Sequence, residues 1–154
     1  MEFKEEHVAF RRVVSEFADA EIASHAREWD RDRRFPLDAV ERIGALCLFG
    51  LPFDGRYGGS GSDFTTLGIA IEELARVDQS IAITLEAAVR LEINPIAEAG
   101  TEAQRGQWMP DLIAGGSATQ IFAEPASSTT PSSPATTAMP RCSRSAKAPA
   151  RCSD

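Results

Sequence analysis

A chain of 154 residues with 43% hydrophobic and 25% charged side chains is long enough for one domain with a real core, and it reads as globular. Its net charge of −7 argues against nucleic acid as the main partner, because phosphate binding needs clustered Lys and Arg. The three cysteines, Cys47, Cys142 and Cys152, are odd in number and irregular in spacing, so they make no disulfide framework.

The first periodic stretch runs from Phe3 to Ala26. Phe10, Val13, Val14, Phe17, Ala18 and Ile22 fall on one face of a helix. Arg31-Asp32-Arg33-Arg34 reads as a polar connection, and Pro36 suits the first turn of a second helix with Leu37, Val40, Ile43 and Leu46 on its apolar side. Cys47, within Leu46-Cys47-Leu48-Phe49, is expected to be a small buried apolar group. Five glycines between Gly50 and Gly61 are too dense for a helix or strand and mark a loop.

Asp63 is a candidate N-cap for a third helix, whose stripe is Phe64, Leu67, Ile71, Leu74 and Ala75. Ser80 can cap a fourth, apolar helix carrying Ile81, Leu85, Ala88 and, at its end, Leu91. Asn94-Pro95 should interrupt it, leaving a short turn from Ile96 to Ala99. Thr101-Glu102-Ala103-Gln104 fits a capping box. The helix beyond it should turn Trp108 inward, break near Pro110 and close at Gly115-Gly116. The expected fold is all-α, an up-and-down-like helical bundle of five to six helices.

Thr119 to Ala123 is the first stretch that reads as a strand, and a lone strand asks for a sheet to join. The composition then changes. Residues 1–125 hold 12 basic and 22 acidic side chains, and residues 126–154 hold 4 and 1. The last segment is rich in Ser, Thr, Pro and Ala and lacks Leu, Ile, Val and aromatic residues, so it cannot offset its ordering entropy by burial. The expected organisation is a helical domain over 1–118, a strand remnant over 119–125 and a disordered tail over 126–154. The tail reads either as a flexible terminus or as an out-of-frame translation. Lys4 is the only lysine in residues 1–125, which suggests a GC-rich gene.

No metal site is visible. His7 and His25 are 18 residues apart on the first helix, about 27 Å along its axis. Glu72-Glu73 and Asp78 read as solvated surface, because adjacent helical residues point about 100° apart. The glycine loop lacks the preceding strand and the spacing of a phosphate cradle, so a tight interhelical loop is expected. The acidic N-terminus carries no secretory pattern, and no run approaches the roughly 20 apolar residues of a membrane span. A cytoplasmic location is expected.

Ordered segments point further. Asp30-Arg31 with Phe35-Pro36, Gly50-Leu51-Pro52 leading to Tyr57-Gly58-Gly59-Ser60-Gly61, and Glu72 to Asp78 resemble the acyl-CoA dehydrogenase family. Pro95-Ile96, Gly100 to Arg105 and Trp108 to Gly115 do the same. The resemblance covers residues 1–125 and implies an N-terminal helical domain succeeded, in the family, by a β domain and a C-terminal helical bundle. It implies FAD as cofactor, an acyl-CoA thioester as substrate and α,β-dehydrogenation to an enoyl-CoA, with a carboxylate base from the C-terminal domain. It also implies flavin contacts at Phe122, Ala123 and Glu124, the start of a strand that in the family typically reads Thr-Glu-Pro before Ala-Gly-Ser-Asp. Ala123 stands where Thr is usual, and Ala126-Ser127-Ser128-Thr129 replaces the Ala-Gly-Ser-Asp run. No catalytic residue is assigned in this chain. It is expected to be a truncated form without activity alone; the alternative is a non-catalytic helical module that associates with full-length relatives, forms a homo-oligomer or is a gene-decay product. Arg90 and Glu92 fall close to where the family lines its acyl cavity.

Overall fold

The computed structural model describes residues 4–116, and among them the regular structure is all helical. The elements are α1 (Glu5–Phe17), α2 (Ala26–Asp32), α3 (Leu37–Ala45), α4 (Phe64–Val77), α5 (Gln79–Ala87), α6 (Asn94–Ala99) and α7 (Glu102–Ile113). The expected all-α bundle is the fold observed. The strand expected at Thr119 to Ala123 lies outside the described residues, as does the tail.

The centre of the bundle is α4, which packs against α1 on one side and α5 on the other. Leu67, Ile69, Ala70 and Leu74 of α4 are buried with Phe10 and Val14 of α1 and Ile81 and Leu85 of α5. Val40 and Ile43 from α3 and Met109 and Ile113 from α7 close the same core. Burying a large aliphatic side chain contributes about 1.5–3 kcal/mol, so this stripe supplies the main driving force. Phe64, expected in the stripe of α4, is instead 56% exposed, because it is the first residue of the helix and lies beyond the packed turns.

Two π-helical segments change the phase of the core pattern. Ala18–Ile22 continues α1, and Ala88–Ile93 continues α5. After the first, the chain turns at Ser24 and His25 and re-enters a helix, so α2 takes in Arg31 and Asp32, which the sequence presents as a connection. Trp29 is its one buried residue, and a single apolar position gives no periodicity to detect. After the second, no interruption occurs at Asn94-Pro95. Pro95 falls in the first turn of α6, at the change from π to α geometry, and the helical run continues through it. The π turn also leaves Leu91 74% exposed rather than buried.

The caps obey simple chemistry. Thr101 Oγ1 accepts from the Gln104 amide while Gln104 Oε1 accepts from the Thr101 amide, the reciprocal box expected. The cap of α5 is Asp78 rather than Ser80: its carboxylate accepts from the amides of Ser80 and Ile81. No break appears at Pro110. It sits inside α7, where it removes one intrahelical hydrogen bond without ending the helix. Met109 and Ile113 point inward from α7, and Trp108, expected to do so, is 44% exposed.

Helix α2 ends at Arg33, which adopts the left-handed conformation with φ 51° and ψ 37°. A side chain there costs about 1 kcal/mol that glycine does not incur. Arg33→Gly should therefore raise the unfolding free energy by about 1 kcal/mol, measured by urea denaturation at neutral pH.

Candidate functional site

The segment from Leu48 to Ser62 joins α3 to α4 and is built on its own hydrogen bonds. The amide of Gly58 donates to Gly55, Gly59 to Asp54, Ser60 to Gly50, Gly61 to Phe53 and Ser62 to Leu51. Five successive N–H groups are thus spent inside the loop. A phosphate cradle needs such groups pointing outward and free, so the loop is the tight interhelical connection expected. Close approach sets its sequence. A Cβ on Gly59 would lie 2.1 Å from the Phe53 carbonyl oxygen, and one on Gly50 2.7 Å from an Ile113 methyl.

The loop is fastened to the start of α7. Tyr57 is buried, and its phenol donates to Glu102 Oε1 at 2.8 Å. Burial, reinforced by that carboxylate, raises the Tyr57 pKa, so the phenol stays a donor across physiological pH. Arg56 stacks over the Tyr57 ring at 5.0 Å. The other end of α7 meets α3: a Cβ on Gly44 would come within 2.8 Å of the Ala114 carbonyl oxygen, and Gly115 takes φ +88° against Phe49. Both ends of α7 are therefore held by the loop and α3. Cys47 is buried as expected.

Asp63 holds the start of α4. Its Oδ1 accepts from the Thr66 amide at 2.9 Å and the Thr66 hydroxyl at 2.8 Å, and its Oδ2 pairs with buried His7 Nε2 at 3.3 Å. The Thr66 amide is the largest cause of a lowered Asp63 pKa, with the hydroxyl and His7 adding to it. His7 and His25 do not meet, and among the described residues no group of His, Cys, Asp and Glu is placed to hold a metal.

Glu73 departs from its expected role. It is 8% exposed, lies between α4 and α1, and accepts from Arg11 at 2.7 Å and from Arg76 at 3.3 Å. Arg11 also reaches exposed Glu72 at 2.7 Å, and Arg76 reaches Asp19 at 2.9 Å. The adjacent glutamates do diverge, but one of them points into the seam rather than to water. Helical spacing alone places Arg76 one turn from Glu73, and only the fold brings Arg11 to it.

Arg90 is exposed on the π segment. Glu92 is partly buried, and that burial raises its pKa. Ile83 at 54% and Leu91 at 74% are exposed along the same helical run. Phe122, Ala123 and Glu124, the residues implied to touch a flavin, lie outside the described residues.

Residues 4–116 match the family model described as "Acyl-CoA dehydrogenase, N-terminal domain". The chain belongs to the acyl-CoA dehydrogenase family. It is 37% identical over 105 residues to the short-chain specific acyl-CoA dehydrogenase of Clostridium acetobutylicum, covering 68% of this chain and 28% of that protein. It is 35% identical over 115 residues to the mitochondrial isovaleryl-CoA dehydrogenase of Arabidopsis thaliana, covering 73% and 28%. Its fold is similar to butyryl-CoA dehydrogenase from Megasphaera elsdenii, with a TM-score of 0.71, 31% identity and coverage of 75% of this chain and 31% of that one. The chain thus spans less than a third of the length of these relatives. Within the acyl-CoA dehydrogenase domain, the glycine loop, the Glu73 seam and the capped start of α7 hold the helices together.

Two outcomes check this geometry. Gly59→Ala should cost about 3 kcal/mol, because a backbone oxygen cannot move aside, and chemical denaturation reads it directly. The carboxylate of Asp63 is held below its ordinary value of 3.8, so the stability it contributes is present above that value and is lost as pH falls through the folded one. Thermal midpoints of the native chain should therefore fall more steeply below about pH 4 than those of Asp63→Asn, which keeps the cap and loses the titration.

Proposed function

We propose that this chain descends from enzymes that carry out FAD-dependent α,β-dehydrogenation of acyl-CoA thioesters, and that as a 154-residue polypeptide it is not catalytic alone. The observation that carries this reading is the match of residues 4–116 to the N-terminal helical domain and to less than a third of each relative. The flavin, when bound, supplies the hydride acceptor. The described residues serve as scaffold: they hold the glycine loop, the α1–α4 seam and both ends of α7. The contacts that the family resemblance implies for FAD fall at Phe122, Ala123 and Glu124, with Ala123 offering no hydroxyl. On this reading residues 119–125 are the start of the flavin-contacting strand, and 126–154 are a low-complexity tail. Among the described residues no helix is long and apolar enough to cross a membrane, and a cytoplasmic protein fits the proposal.

The purified 154-residue chain should be colourless and should not reduce an artificial acceptor with acyl-CoA. A bound-flavin absorbance band, or acyl-CoA-dependent reduction, would overturn the proposal.

A second reading is favoured by one observation, the exposure of Ile83, Leu91 and Trp108. Apolar side chains on the surface favour association where they join into one patch. On this reading the chain is a helical module that joins full-length relatives or a copy of itself. Size-exclusion chromatography should then show a species larger than a monomer, and a monomer at high concentration would count against it.

A further inference from the structure

A cleft of about 600 Å³ opens between α2, the turn that leads to α3, and the junction of α4 with α5. Its volume lies within the range of small-molecule sites, roughly 300–1,000 Å³. The floor is apolar: Trp29 and Pro36 are buried, and Phe35 and Val77 are half-buried. The rim carries Arg27, Arg33 and Arg34.

The charges on that rim are unusual for so acidic a chain. Acidic side chains outnumber basic ones 23 to 16, yet the side chains of Arg27 and Arg33 make no ion pair or hydrogen bond among the described residues, the Arg33 backbone amide alone donating to Asp30. Arg34 reaches only Asp38, at 3.7 Å. Two carboxylates also line the cleft. That of Asp78 is occupied by the Ser80 and Ile81 amides and the Ser80 hydroxyl. Asp30 has no ion pair among the described residues, which leaves one free carboxylate against two unpaired guanidinium groups. The backbone adds an independent argument. Arg33 sits in the left-handed conformation where glycine would be the cheaper residue. A side chain retained against that preference is a pointer to use, since strained positions cluster at functional sites.

We propose that this cleft binds an amphiphilic carboxylate, with its hydrocarbon chain over Trp29, Phe35 and Val77 and its head group on Arg33 and Arg27. A guanidinium presents paired donors that match a carboxylate, and the apolar floor takes the chain from water. This proposal stands on the cleft alone and does not depend on the proposed enzymatic lineage.

The test uses the full chain with Trp108→Phe, so that Trp29 is the sole tryptophan. Titration with decanoate should change Trp29 emission saturably. Arg33→Gly, which the backbone favours, and Arg27→Gln should each weaken binding about tenfold, as should replacing decanoate with decanol. Absence of a saturable change would overturn the proposal. So would equal affinity for decanol, or for decanoate in the two arginine variants, because the ligand would then be held by apolar contact elsewhere.

Discussion

The structure depends on how α4 reconciles two demands. One side of α4 is packed with Leu67, Ala70 and Leu74, and the seam beside it holds a carboxylate, Glu73, at 8% exposure. A buried charge is tolerated only when its lone pairs are met. Arg11 from α1 and Arg76 from α4 itself meet them, and the same two arginines reach out to Glu72 and Asp19. The pairing fixes which face of α1 meets α4, and with it the register of Phe10 and Val14 against the core. A leucine in place of Glu73 would satisfy burial and leave that register unspecified.

A second constraint passes from α4 to the rest of the domain through the glycine loop. Asp63 caps α4 and touches His7 of α1, while Tyr57, within the loop, binds Glu102 at the start of α7. Between them the chain is so tightly folded that its amides bond to its own carbonyls. The loop is therefore a rigid joint between α1, α4 and α7. Its glycines serve close packing, as Gly59 shows most clearly.

Much of the fold is legible in the sequence. Helical periodicity locates α1, α3, α4 and α5, the Thr101 box locates α7, and the glycine density locates the loop. The hidden features have physical causes. A π turn shifts the phase of an apolar stripe without leaving a compositional mark, so the split of the first helix and the exposure of Leu91 are not visible in the pattern. A proline in a helix reads as a break, yet Pro95 and Pro110 both lie within helical runs that the surrounding packing keeps intact. A glutamate reads as surface until its partners are known, and Arg11 is 62 residues from Glu73. The inward placement expected of Trp108 fails because Met109 and Ile113 already occupy the buried side of α7. The expected flavin contacts at Phe122 to Glu124 lie outside the described residues, so the scaffold is more legible than any site.

Residues 4–116 form a helical domain of the acyl-CoA dehydrogenase family organised on α4, and a domain built this way should support itself. Amide hydrogen exchange of the intact chain tests that most directly. Exchange should be slowest in α4 and α5, at buried positions such as Leu74 and Leu85, with α1 protected across the Glu73 seam. Uniformly fast exchange through α1, α4 and α5 would contradict it.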